Sequence, residues 1–208
     1  MNRWFPIETK RLLLREFRAD DEQDIHAYAS DPEVVRLMIW GPNTPETTKA
    51  FLAGVLKEQE RWPRPAVGLA IELKKERRVI GGIDLRVKDE KNRAADVGYV
   101  LARAHWGRGY MVEAARAILD AAFRQIGLHR VWATCDPRNR ASYRVMEKLG
   151  MRREAHFRKD VMEKGEWRDT YLYAILAEEW LRTGRSGSED ETKGHQRDRR
   201  ARDSGSHI

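Results

Sequence analysis

Asp96-Val97-Gly98-Tyr99-Val100-Leu101, followed closely by His105-Trp106-Gly107-Arg108-Gly109-Tyr110-Met111, decides how this chain is read. The first run belongs to a strand-like stretch, Ala94 to Leu101, that is β-branched and aromatic, and Gly98 inside it marks a bulge or a close approach to the backbone. In the second run Gly107 and Gly109 lack a Cβ, so they tolerate positive φ and let a ligand reach consecutive backbone N–H groups, while Arg108 adds a cation between them. Met111, Val112, Ala114, Ala115, Ile118, Leu119, Ala122, Phe123 and Ile126 then recur at helical spacing. The loop therefore feeds a helix N-terminus, whose unpaired N–H groups and dipole favour an anion. Such a join suits a phosphate cradle, and it equally suits an ordinary strand-to-helix turn tightened by glycines. Two known fingerprints are excluded: Val112 stands where the dinucleotide pattern needs its third glycine, and the G-K-[ST] of a P-loop is absent.

Before this join, Arg11 to Phe17 reads as a first strand, and Asp20-Asp21 opens a helix to about Ser30 with Ile25 and Tyr28 facing inward, broken by Asp31-Pro32. Val34 to Pro42 is apolar and irregular. Thr44-Pro45 starts a second helix with Phe51, Leu52, Val55 and Leu56 as its apolar stripe, ending near Trp62-Pro63. Val67 to Leu73, Val79 to Val87 and Ala94 to Leu101 then form an antiparallel meander. Past the central helix, Arg130 to Asp136 is a strand reached by a crossover, hence parallel to its partner. Asn139 caps a helix from Arg140 to Lys148 that stops at Gly150. Arg152 to Val161 and Glu166 to Leu176 form a hairpin across Lys164-Gly165, and Glu178 to Arg182 is a closing helical turn. The fold class is α/β (α+β), with a mixed central sheet of about seven strands and flanking helices.

At 208 residues one domain is expected, residues 8–182, with 184–208 as a disordered polar tail. The net charge of +7 suits a polyanionic partner, but residues 184–208 hold six Lys/Arg against five Asp/Glu. The excess is thus spread out, which argues against a basic nucleic-acid-binding arm. A single cysteine, Cys135, excludes an internal disulfide framework and a multi-cysteine metal site. No signal segment or membrane-length apolar run is visible, so the expected location is the cytoplasm, without membrane association. His26, His105, His129 and His156 share no ligand spacing, and no metal is assigned.

In this order the chain resembles the GCN5-related N-acetyltransferases over about residues 8 to 182, and among them the branch that acetylates ribosomal-protein N-termini at alanine or serine. Three segments carry the likeness: Asp96-Val97-Gly98-Tyr99 into Trp106-Gly107-Arg108-Gly109-Tyr110; Asp136-Pro137-Arg138-Asn139-Arg140-Ala141-Ser142 into Glu147-Lys148-Leu149-Gly150-Met151; and Gly165-Glu166-Trp167-Arg168-Asp169 into Tyr171-Leu172-Tyr173. In that family the first binds acetyl-coenzyme A, the second lies along its pantetheine arm and the third is typical of the branch. Asp96 departs from a more common glutamate, and Met151 from a phenylalanine.

The resemblance implies a splayed strand pair and acetyl transfer from acetyl-CoA to an amine, with no metal. Such a transfer needs a neutral amine, a site for the developing oxyanion and an exit for the thiolate. An α-amine with a pKa of about 8 needs less help than a lysine at about 10.4, and a thiolate with a pKa of about 8.5 leaves readily. By the same resemblance the backbone N–H of Val100 is the oxyanion donor, unless Val100 is a plain sheet residue. Leu101 and Arg103 follow along the pantetheine, and Arg108, Gly109, Tyr110 and Met111 surround the pyrophosphate. Asp96 is the base, acting through water, or else a solvated strand-start carboxylate. Asn139 combines its cap with a pantetheine hydrogen bond. Ser142 donates to the departing sulfur or is a bland first-turn serine, and Tyr143 packs. Trp40, Glu163, Trp167 and Asp169 border the amine site, and Glu113 stabilises the first turn of the central helix.

The acceptor is expected to be a protein N-terminus. Acetylation of a small amine such as an antibiotic or polyamine remains the alternative enzyme reading, and a non-catalytic coenzyme A-binding module the alternative class. Monomer and homodimer are both left open.

Overall fold

One mixed sheet of eight strands carries the chain, in the order β1-β2-β3-β4-β5-β6-β8-β7. The computed structural model describes residues 4–183; the stretch 184–208, expected to be a disordered tail, lies outside the described residues. The strands are β1 (Ile7–Glu8), β2 (Leu12–Arg15), β3 (Ala66–Leu73), β4 (Arg78–Asp89), β5 (Ala94–Leu101), β6 (Arg130–Cys135), β7 (Arg152–Glu163) and β8 (Glu166–Leu176). The helices are α1 (Glu22–Ala29), α2 (Pro32–Val35), α3 (Pro45–Gln59), α4 (Tyr110–Asp120), α5 (Arg140–Lys148) and α6 (Ala177–Thr183). The expected seven strands become eight through β1, whose two residues are too few to show a period.

Neighbouring strands are antiparallel except β5 and β6, which are parallel as the crossover required. Alternation then sorts side chains into two layers. Ala95, Val97 and Leu101 of β5, with Val67, Leu69 and Ile71 of β3, pack against Met111, Ala114, Ala115, Ile118 and Leu119 of α4. Val100 and Ala70 instead join Phe17, Ile25, Tyr28 and Leu52 on the side of α1 and α3.

Two local readings change. Asp31-Pro32 does more than end α1: the Asp31 carboxylate accepts the Glu33 N–H, and Pro32 takes the first position of α2, a single turn too short for a 3.6-residue period to reveal. The central helix keeps regular α geometry only to Asp120, widens into a π-helical segment over 121–126, and stops at Gly127 with φ of 77°.

Candidate active site

The site begins where β5 and β6 part. Their register holds only from Ala94↔Arg130 to Asp96↔Trp132, while β6 keeps its partner β8 as far as Cys135↔Tyr171. Val97 to Leu101 therefore run beside a gap on the β6 side. Ala102 N–H donates to Ile80 O at 2.8 Å, and residues two apart on a strand point the same way, so Val100, opposite Gly82, turns its N–H toward β4. That corrects the expected oxyanion donor: the N–H groups of Tyr99 and Leu101, not of Val100, face the gap. Leu101 O is already taken, by Trp106 Nε1 at 2.7 Å.

The glycine loop lies at the end of this edge. His105 N–H donates to Ala102 O and Trp106 N–H to Arg103 O, a tight turn that delivers the chain to Gly107 and Gly109. Both glycines take the left-handed conformation, at φ of 72° and 77°, and Gly109 is the residue before α4. Among the described residues the N–H groups of Gly107, Arg108 and Gly109 donate to no protein acceptor, and the exposed Arg108 side chain is in no ion pair. From the other end of the sequence Arg11 clamps the loop: its Nη1 donates to Arg108 O at 2.9 Å, and its guanidinium lies 4.3 Å from the Tyr110 ring centroid. Glu113 fixes Arg11 in turn, accepting from Arg11 Nε at 2.6 Å, Arg11 N at 2.8 Å and Thr9 Oγ1 at 2.7 Å. Glu113 thus does more than stabilise a first turn. Burial alone would raise its pKa; the hydrogen bonds from Thr9 and Arg11 outweigh that and hold it below the usual carboxylate value.

Arg103 pairs with Asp31 at 3.1 Å, which leaves its backbone rather than its side chain for a pantetheine. Across the gap, Asn139 Oδ1 accepts the Ser142 N–H at 3.1 Å as the expected cap, and the bond uses only the oxygen of its amide. Tyr99 reaches over from β5: its hydroxyl donates to Ser142 O at 3.0 Å and lies 3.2 Å from Ser142 Oγ. With the one phenolic proton on the carbonyl, the Ser142 hydroxyl is the donor in the 3.2 Å contact and also meets the Cys135 thiol, so a departing sulfur would compete with those two for its proton. Tyr143 packs, stacked on Tyr173 at 6.4 Å between ring centroids. Burial pushes the Cys135 thiol up to about 11, so it is protonated at neutral pH.

On the opposite face two carboxylates share one arginine. Asp96, the expected base, is held by Arg86 through Nη2 at 2.6 Å and Nε at 3.1 Å, with Lys88 4.0 Å away. Asp84 Oδ2 lies 3.1 Å from Arg86 Nε as an ion pair, but the buried oxygen receives no well-directed hydrogen bond among the described residues. Burial, opposed by Arg86 and reinforced by Asp96, pushes the Asp84 carboxyl up to about 6. Asp84 is not among the residues expected at the site. Its signal was a lone carboxylate inside the apolar alternation of Val79 to Val87. Gly98 forms no bulge with β4; the expected close approach is that of Asp84 itself, whose Oδ1 would stand 2.9 Å from a Cβ placed there.

The expected amine-site residues do not form one wall. Trp40 is half-buried against the Phe17, Ile25, Tyr28 and Leu52 cluster, whereas Trp167 is exposed on β8 opposite Met162 of β7. Alternation puts Trp167 on the same face of β8 as Tyr173 and Ile175, and Arg168 on the other, where it reaches Arg36 O at 3.5 Å. Lys164 at the hairpin turn donates to Val35 O at 2.7 Å. Asp169 is occupied in the hairpin, accepting from Lys159 N–H at 2.9 Å and meeting His156 Nε2 at 2.7 Å, where β7 slips register between Phe157 and Val161. Glu163, beside Lys164, remains at the hairpin end. Among the described residues no three His, Cys, Asp or Glu side chains converge as metal ligands would, and no helix is long and apolar enough to cross a membrane.

These residues fit acetyl-CoA. The left-handed glycines and Arg108 suit its pyrophosphate, and the open edge of β5 with Asn139 and Ser142 suits its pantetheine and thioester. Comparison with known proteins agrees. Residues 11–152 match the family described as the acetyltransferase (GNAT) domain. The chain is 41% identical over 175 residues, 84% of its length and 98% of the relative's, to "Uncharacterized N-acetyltransferase YnaD" of Bacillus subtilis (strain 168). It superposes on the crystal structure of a GNAT-family acetyltransferase from Bacillus anthracis with a TM-score of 0.73 and 37% identity, covering 83% of this chain and 98% of that one. For the ribosomal-protein-S5-alanine acetyltransferase of Vibrio fischeri the values are 0.69 and 26%, with 84% and 97% covered. The chain therefore belongs to the GNAT acetyltransferase family and is an acetyl-CoA-dependent N-acetyltransferase.

Proposed function

We propose that this enzyme acetylates the N-terminal α-amine of a protein, of the kind a ribosomal protein presents, by direct attack of the amine in a ternary complex. The observation that carries the choice of acceptor is the charge of the hairpin beside the α2 segment. Lys164 and Arg168 reach that segment, Glu166 is paired with Arg138 and Arg168, and Asp169 is occupied by His156 and the Lys159 N–H. That leaves Asp160 and Glu163 as the hairpin carboxylates in no ion pair among the described residues, fewer than the cations of a long polyamine, whereas a peptide carries a single cation at its α-amine. The likeness to the Vibrio fischeri alanine acetyltransferase supports the same choice.

Direct attack is supported by the single cysteine being a half-buried thiol whose burial keeps it protonated, which disfavours an acetyl-cysteine relay. In this reading Arg108 and the N–H groups of Gly109, Tyr110 and Met111 hold the pyrophosphate, and Leu101, the Arg103 backbone and Asn139 follow the pantetheine. Tyr99 N–H, in place of Val100, meets the developing oxyanion, and Ser142 donates to the leaving sulfur. The test is thiol release from acetyl-CoA with peptides bearing Ala, Ser, Thr or Met N-termini, alongside polyamines and aminoglycosides. Selective turnover of N-terminal peptides is expected. Turnover confined to the small amines would overturn the acceptor.

A further inference from the structure

We propose that Asp84 takes the proton lost by the attacking amine, while Asp96 serves to hold Arg86 beside it. The proposal rests on the amine-acetylating reading, and not on which amine is used.

Asp84 sits in the middle of β4 with a glycine on either side in the sheet, Gly68 on β3 and Gly98 on β5. Its carboxylate uses the room that Gly98 leaves: a Cβ there would stand 2.9 Å from Asp84 Oδ1 and 3.2 Å from Arg86 Nη2. The carboxylate therefore lies over the β5 backbone one residue before Tyr99, whose N–H faces the gap. Asp84 shares the sheet face of Gly82 and Val100, toward Phe17 and Tyr28, and Ser142 approaches from the other face through Tyr99. An amine arriving from the α1 side meets the proton acceptor on its own side, with the sulfur's donor across the sheet.

The step balances without another reactant. The amine lone pair forms the N–C bond at the thioester carbonyl carbon. The C–S bond breaks, and the sulfur leaves with the electron pair as the coenzyme A thiolate. The surplus amine proton passes to the Asp84 carboxylate, directly or through one water, and on to solvent. Asp96 is less suited to receive it, because Arg86 hydrogen-bonds both its oxygens, whereas Asp84 Oδ2, 3.1 Å from the same Arg86 Nε, is held only by the ion pair and by no directed hydrogen bond among the described residues. The charged groups facing Asp84 are Arg86 and Lys88 of its own strand and Asp96 of β5, and the Tyr28 hydroxyl of α1 lies nearby over Gly82. With its carboxyl at about 6, Asp84 is largely ionised at neutral pH and still basic enough to accept a proton.

The test combines carboxyl titration with kinetics on the full chain. In ¹³C NMR of Asp-labelled protein, the carboxyl signal absent from Asp84→Asn should titrate near 6 in the wild type. In Asp96→Asn it should titrate lower, since a repelling charge is gone and Arg86 is free to turn to Asp84. The kcat/KM for a peptide amine should fall about 100-fold or more in Asp84→Asn and lose its low-pH inflection, with acetyl-CoA affinity by calorimetry within about twofold of wild type. Asp96→Asn should keep the inflection, moved to lower pH. An Asp84→Asn enzyme with wild-type rate and profile, or an Asp84 carboxyl titrating near 4 as an ordinary one does, overturns the proposal alone. A wild type that binds acetyl-CoA yet acetylates no amine overturns the underlying reading as well.

Discussion

Replacing Glu113 with glutamine tests whether the glycine loop is held from the N-terminal strand pair. The carboxylate accepts from Thr9 Oγ1 at 2.7 Å, Arg11 N at 2.8 Å and Arg11 Nε at 2.6 Å. Glutamine can keep the first two bonds through its oxygen. The third becomes an amide N–H facing a guanidinium N–H, so one charge-assisted bond is lost and replaced by a donor–donor contact. That bond lies at a half-buried pair, with side-chain exposures of 39% and 19%, and its loss costs about 1.5–3 kcal/mol. For a chain of this size the cost corresponds to a fall in Tm of about 3–12 °C. Arg11 also holds Arg108 O at 2.9 Å, and if one hydrogen bond's worth, about 1 kcal/mol, falls on the loop, the Kd for acetyl-CoA rises about fivefold.

The pH dependence has a definite sign. The folded-state pKa of Glu113 lies below its ordinary 4.5, so its contribution is complete above 4.5 and is lost as pH falls through the lower folded value. The Tm difference between wild type and Glu113→Gln should therefore be full at neutral pH and close in acid. Differential scanning calorimetry across pH, with isothermal titration of acetyl-CoA, measures both quantities. Equal Tm at neutral pH, or a difference that stays constant far below 4.5, would refute the clamp.

Three further outcomes are expected. Arg108→Ala should raise the Kd for acetyl-CoA about tenfold and flatten its salt dependence, because the exposed guanidinium is in no ion pair among the described residues; an unchanged affinity would move the pyrophosphate elsewhere. Gly98→Ala should fold, since the clashing atoms at 2.9 and 3.2 Å are side-chain ends that can move, but it should displace Asp84 and lower kcat while acetyl-CoA still binds. Retained kcat would show that the place of that carboxylate is immaterial. Ser142→Ala should lower kcat about tenfold at saturating acetyl-CoA, and turnover at the wild-type rate would remove its donor role.

Features encoded within a few consecutive residues were legible in the chain itself. The span of β5, the α5 helix with its Asn139 cap, the hairpin turn at Lys164-Gly165 and the positive φ of Gly107 and Gly109 are set by alternation, capping chemistry and the absence of a Cβ. The parallel pairing of β5 with β6 also followed, because the intervening crossover leaves little choice. Single-turn α2 and two-residue β1 escaped, since neither spans a full period.

What only the tertiary structure decided concerns direction and competition between residues far apart in the chain. Register with β4 turns Val100 away from the gap and leaves Tyr99 and Leu101 facing it. Arg86 hydrogen-bonds Asp96 through two nitrogens and meets Asp84 Oδ2 at 3.1 Å without a directed bond, so the two carboxylates are held differently by one arginine. Asp169 is drawn into the β7 irregularity, and Glu113 becomes the anchor of Arg11, 102 positions away. Each residue type announced its chemistry, a base, a cation or a donor. Which partner it met depended on strand register and on the meeting of distant segments, and local spacing encodes neither.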